Sequence, residues 1–84
     1  GGTVKLQIAF RDPEPPALPG DIQVLHRSNL GRIYTYIIRG TAEDVMNRFA
    51  VYEPLFQEAL PLSLEEIFIY EMGGEDYAVR DIVL

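Results

Sequence analysis

The chain has 84 residues, of which 48% are hydrophobic, and it carries a formal net charge of -6 with no cysteine. This length allows one core and no second domain, and no apolar run approaches the roughly 18 residues that a membrane span needs. The acidic balance repels phosphate backbones and anionic lipids, so we expect neither nucleic acid nor direct membrane insertion, and disulfides and thiolate chemistry are excluded.

The N-terminal half has the pattern of three strands. Residues 3–10 alternate apolar and other side chains, which predicts a first strand with one face on the core. Residues 11–20 hold four of the six prolines and predict a stiff connecting loop. Residues 21–27 and 32–39 are rich in β-branched and aromatic residues and flank the turn-forming residues 28–31, which predicts a hairpin.

A helix is predicted to begin after Thr41, because this hydroxyl can cap the free amides and Asp44 lies three residues on, near the positive end of the helix dipole. Pro54 predicts its end near Tyr52. The residues at helical spacing that we expect on the sheet are Ala42, Val45, Met46, Phe49 and Ala50.

The C-terminal half predicts a short fourth strand over residues 55–60 and a second helix. Ser63 and Glu66 have the spacing of a capping box, and Gly73 is suited to a left-handed helix end. Residues 75–84 end in an apolar segment that would form a strand, dock on a partner or fray. The order β-β-β-α-β-α predicts a single α+β sandwich over residues 1–84, with a mainly antiparallel sheet and both helices on one face.

The residue types predict no catalytic, cofactor or metal site. His26 is the only histidine and has no cysteine to share a metal with, so a surface or strand-end residue is expected. The acidic pairs 43–44, 65–66 and 75–76 are adjacent in sequence; adjacent helix residues point about 100° apart and do not converge. The glycine pairs at 1–2 and 73–74 lack the spacing of a phosphate loop.

Four apolar residues are candidates for a protein interface. Tyr34 and Tyr36 share one face of the third strand, where core packing is the alternative to a contact surface. Ile69 and Tyr70 are predicted to lie on the outer side of the second helix and to contact a partner chain or another domain, the alternative being two ordinary exposed residues. The residues expected to face the sheet instead are Leu64, Ile67, Phe68 and Met72.

The strand order followed by residues 63–69, Ser-Leu-Glu-Glu-Ile-Phe-Ile, resembles the C-terminal accessory domain of ABC-2 type transporter ATP-binding subunits. In that family a strand is followed by Pro-Ser-Leu-Glu-(Glu or Asp)-(Val or Ile)-Phe. Here the proline is Pro61, with Leu62 inserted before Ser63. The resemblance extends from Val4 to Gly74.

The resemblance implies a bacterial, cytoplasmic export ATPase subunit, peripheral to the cytoplasmic membrane, of which this chain is the non-catalytic C-terminal piece. ATP and Mg would bind to the N-terminal nucleotide-binding domain of the parent protein, and no cofactor is expected in this piece. The implied partners are that N-terminal domain, a second ATPase subunit in a possible homodimer, and the membrane permease. A free-standing module that binds a small ligand or dimerises is the alternative.

Overall fold

The computed structural model describes residues 2–74 of the chain. Their order is β-β-β-α-β-α, so the predicted α+β class and element order are confirmed. The predictions for residues 75–84 lie outside the described residues. The elements are β1 (Thr3–Ala9), β2 (Val24–Leu30), β3 (Ile33–Arg39), α1 (Ala42–Ala50), β4 (Phe56–Leu60) and α2 (Leu64–Met72).

The four strands form one antiparallel sheet in the spatial order β2-β3-β1-β4. The first strand is therefore internal, between β3 and β4. Since β3 and β4 both run antiparallel to β1, they are parallel to each other, and α1 makes the crossover that joins them. Parallel strands need such a crossover, whereas β2 and β3 need only a short turn.

The hairpin turn is shorter than the sequence predicts. Residues 28–30, predicted as part of the turn, belong to β2, and the turn consists of Gly31 and Arg32. The strand also begins later than predicted, at Val24. Gly31 has φ 59°, a value that glycine adopts without steric cost and that two-residue hairpin turns require. The side-chain amide of Asn29 donates to the Gly31 carbonyl at 3.2 Å, so it supports the turn from the end of the strand.

The main core lies between the sheet and α1, which we call the α1 face of the sheet. Thr41 caps α1 as predicted, accepting a hydrogen bond from the Asp44 amide at 3.1 Å. In the middle of the helix, the Gln57 side chain donates to the Met46 carbonyl at 3.1 Å. Of the predicted helix stripe, Ala42 and Ala50 are exposed. The buried cluster consists of Val4, Leu6, Ile8, Phe10, Tyr36, Ile38, Val45 and Phe49.

The two helices lie on opposite faces of the sheet, so the expectation of both on one face is wrong. Side chains alternate between faces along a strand, and Leu6 points into the α1 core. Lys5 therefore points to the other face, where it forms an ion pair with Glu66 of α2. Of the two helices, only α2 covers this second face of the sheet, which we call the α2 face.

Within residues 2–74, neither helix is long and apolar enough to cross a membrane.

Candidate functional site: the second helix and the sheet face beneath it

The second helix is defined at both ends by backbone caps. The Glu66 amide donates to Ser63 Oγ at 3.1 Å, and the Ser63 amide donates to Glu66 Oε1 at 2.8 Å, so the predicted capping box is confirmed. Gly73 ends the helix in the left-handed region with φ 72°, also as predicted. The ring of Phe68 lies against Gly74 where a Cβ would stand, so a larger residue there would require the ring to move.

One ion pair and one ring contact join α2 to the sheet. Lys5 Nζ lies 2.8 Å from Glu66 Oε1, the oxygen that also closes the capping box. Burial disfavours the charged form of Glu66, but hydrogen bonds from Lys5 and Ser63 outweigh it and hold the pKa of this carboxyl below its ordinary value. At the far end of α2, the rings of Tyr70 and His26 lie 5.9 Å apart.

These contacts place α2 over the part of the sheet from β1 to β2. The cross-strand pairs that include Lys5 and His26 define one row on the α2 face, and Ile37 lies between them. Ile37 is 2% exposed although it belongs to the face opposite α1. α2 therefore extends from β1 across β3 to β2 and covers Lys5, Ile37 and His26, and Leu60 of β4 stands at the end of the same row.

The orientation of α2 about its axis differs from the prediction. Glu66 and Tyr70 face the sheet, and at about 100° per residue this directs Leu64, Phe68 and Met72 away from it. Leu64 is 86% and Met72 70% exposed, so the expectation that they pack on the sheet is wrong. Ile67, Ile69 and Tyr70 are half-buried. We call Leu64, Phe68 and Met72 the outer stripe.

The two tyrosines of β3 belong to the core side of the sheet. Tyr36 is 1% exposed, which contradicts its place among the interface candidates, and Tyr34 is half-buried. Their rings stack at 6.3 Å, and Phe49 of α1 lies 5.6 Å from Tyr36. Burial raises the pKa of the Tyr36 phenol, partly offset by Arg27 opposite it on β2. The phenol oxygen has no geometrically acceptable hydrogen bond within residues 2–74.

Part of the α2 face is left uncovered by the helix. Next to the covered row is a row that we call the polar row, which consists of Glu58, Gln7, Thr35 and Ser28. The row after it, which we call the apolar row, consists of Phe56, Ala9, Ile33 and Leu30. Leu30 is 86% exposed, and Ile33 and Phe56 are partly exposed. Six of the eight exposed large apolar residues of the described chain therefore lie on the α2 side, in the apolar row or the outer stripe.

The described residues hold no arrangement of three or more histidine, cysteine, aspartate or glutamate side chains that could bind a metal. Glu43 and Asp44 lie in the first turn of α1, and Glu65 and Glu66 in that of α2, where negative charge favours the helix dipole. The pair 75–76 lies outside the described residues.

A second candidate site is an open cavity of about 350 Å³ at the N-terminus of α1. Thr3, Thr41, Leu60 and Pro61 are among its lining residues. Its size reaches the lower end of the range for small-molecule pockets. Glu43 and Asp44 in the adjacent helical turn make its surroundings unfavourable for anions.

No family model, no curated protein and no solved structure matches this chain.

The contacts of Lys5 and His26 with α2 were not predicted from the sequence. Lys5 looks like any outward residue of an alternating strand, and the single histidine offers no spacing signal. The only available indication was the apolar Ile37, which occupies a position that alternation assigns to the face opposite Tyr36 and Ile38. An apolar residue on the face of the sheet opposite α1 indicates that another element packs on that face.

Proposed function

We propose that this chain is a non-catalytic accessory domain that acts through protein contacts, as the C-terminal part of an ABC transporter ATP-binding subunit. The observation that carries the proposal is the outer stripe: the segment bearing the family-like motif is a doubly capped helix, and the three residues that it directs away from the sheet are all apolar. Exposed apolar surface concentrated on one side of a small domain is typical of an interaction site.

The caps support this proposal because they make α2 a fixed element independent of a large buried area. None of its residues is buried in this chain, yet both ends are satisfied by hydrogen bonds. A helix held in this way can present Leu64 and Met72 to another protein without rearranging. Its expected work is to support association of the ATPase subunits, or to couple ATP hydrolysis in the N-terminal domain to the permease.

The resemblance also carries the cellular setting of the proposal. ATP and Mg belong to the nucleotide-binding domain of the parent chain, and the place of action is the cytoplasmic surface of the membrane, reached through the permease. Ile69 and Tyr70 remain part of the proposed contact region, although Ile69 lies on the side of α2 and Tyr70 faces the sheet beside His26. Their half-burial makes them less accessible than Leu64 and Met72.

The first test is to read the native gene upstream of Gly1. A GxxxxGK[ST] segment within a complete in-frame nucleotide-binding domain would support the proposal. A start codon next to Gly1 would overturn the transporter assignment.

The second test uses the full-length subunit with its permease. Leu64→Glu should leave nucleotide binding unchanged and lower the permease-dependent ATPase rate, because the outer stripe would carry a charge into the contact. Val51→Glu is the matched control, since Val51 is also exposed but follows α1. Equal effects of the two variants would contradict a contact role for α2.

The cavity at the start of α1 supports one alternative, a module that binds a small uncharged effector. Its test is a melting-temperature screen of the 84-residue chain against neutral metabolites, followed by Ala42→Leu in the cavity wall. A ligand that raises the melting temperature of the native chain but not of Ala42→Leu would favour this alternative. No shift with any ligand would count against it.

A further inference from the structure

We infer that two copies of this chain associate about a two-fold axis, with the outer stripe of each copy packed on the apolar row of the other. The inference rests on the proposed contact function, and it names the partner as a second copy. It does not depend on the assignment to a transport ATPase.

The first argument is that the α2 side of the molecule is complementary to itself. α2 covers one row of the sheet, and the polar and apolar rows extend beside it by about 7 and 14 Å along the strands. Packed helices lie about 8–10 Å apart, so the uncovered surface accommodates one further helix next to α2. The α2 of a second copy fits there when its outer stripe faces this sheet.

The second argument is that the two surfaces match in length. Leu64 and Met72 are eight residues apart, or about 12 Å along the helix. The apolar row crosses four strands, or about 14 Å. A two-fold axis parallel to α2 brings Leu64 over Phe56 of the second copy and Met72 over Leu30 of the second copy, with Phe68 between them.

The third argument is the area available. If a fully exposed large apolar residue presents about 190 Å², the six large residues of the outer stripe and apolar row, without Ala9, expose roughly 650 Å² per copy. Both copies together would bury about 1,300 Å². Specific protein interfaces begin near 1,200 Å², so these residues suffice for a dimer of the smaller kind.

Charge gives the inference a distinctive salt dependence. Each copy carries a net charge of -6, and Glu65 beside the outer stripe would approach Glu58 in the polar row of the second copy. Added salt screens both repulsions, so the dimer should become stronger as ionic strength rises. A partner with a basic rim around an apolar groove would show the opposite dependence.

The test is sedimentation equilibrium of the 84-residue chain from micromolar to millimolar concentration, at low and high salt. We expect dimers whose dissociation constant falls with salt and rises about tenfold or more in Leu64→Glu and in Leu30→Glu. Val51→Glu, the control on the α1 side, should dimerise like the native chain. Circular dichroism should show all three variants folded, because the replaced side chains are exposed.

A double variant tests the register. In Met72→Lys with Leu30→Glu, each lysine would face a glutamate of the second copy, so dimerisation should recover relative to either single variant. A monomer at every concentration, a dimer insensitive to Leu30→Glu, or a dimer weakened by salt would overturn the inference. A failed dimer with a nucleotide-binding domain found upstream of Gly1 would leave the proposed function intact.

Discussion

Replacing Tyr36 by phenylalanine should stabilise the protein, although it deletes a polar group from a well-packed core. The phenol oxygen is buried without a hydrogen bond in residues 2–74, and an unsatisfied buried hydroxyl costs about 1–3 kcal/mol. Removing it also leaves a void smaller than a methyl group, which costs up to about 1 kcal/mol. The net expectation is a gain of about 1 kcal/mol in the free energy of unfolding.

Thermal unfolding measures this gain directly. At about 2.1 cal/mol/K per residue, the unfolding entropy of an 84-residue chain makes 1 kcal/mol equivalent to about 6 °C. Calorimetry of Tyr36→Phe should therefore show a melting temperature about 6 °C above that of the native chain. Tyr34→Phe is the matched control on the same strand face, and its half-buried ring should change the melting temperature by less than about 3 °C.

The opposite result would refute the reasoning about this hydroxyl. If Tyr36→Phe melts several degrees lower than the native chain, the phenol oxygen has a hydrogen-bond partner in solution. Arg27 is the residue to examine then, since it lies opposite Tyr36 and acts on its pKa. Arg27→Met should in that case destabilise the native chain but have no effect on Tyr36→Phe.

Three further predictions concern the core and the attachment of α2. Phe49→Ala should lower the free energy of unfolding by about 3–5 kcal/mol in urea titrations, because this fully buried ring joins α1 to the sheet; a loss below 1 kcal/mol would contradict that. Ser63→Ala should cost about 1 kcal/mol and speed amide exchange in α2 while α1 stays protected; equal changes in both helices would be inconsistent with a local cap. Glu66→Gln should lower the free energy of unfolding at neutral pH but leave it equal to that of the native chain in strong acid. The folded pKa of Glu66 is lowered, so its charge stabilises the fold above about pH 4.5, and this stability is lost as the pH falls through the folded pKa. A difference between the two proteins that stays constant at all pH values would argue against the Lys5 pair.

Local signals predicted the elements well because each depends on residues close in sequence. Thr41 and Asp44 mark the start of α1, and Ser63 and Glu66 that of α2, and all four make the hydrogen bonds expected of caps. The period-two pattern of β1 identified its buried face, which Leu6 occupies. The turn of the hairpin was misplaced, because Gly31 alone supplies the positive φ and the residues before it continue the strand.

The orientation of α2 was not predictable in the same way, because apolar residues occur on every side of this helix. Leu64, Phe68 and Met72 on one side and Ile67, Ile69 and Tyr70 on the others offer no single stripe. The choice is made by Glu66 and Tyr70, whose partners Lys5 and His26 are distant in sequence. The apolar row is likewise invisible in the sequence, since it exists only once strand order and register are known.

The internal position of β1 has a consequence for how the chain folds. Lys5 pairs with Leu60, whereas β2 and β3 are joined by two residues, so the hairpin can form from local contacts and β1 can join it next. β4 completes the sheet last, after α1 has made the crossover. During synthesis, a chain that has not reached Phe56 leaves one edge of the most buried strand bare, and we expect the nascent protein to be most prone to aggregate at this stage.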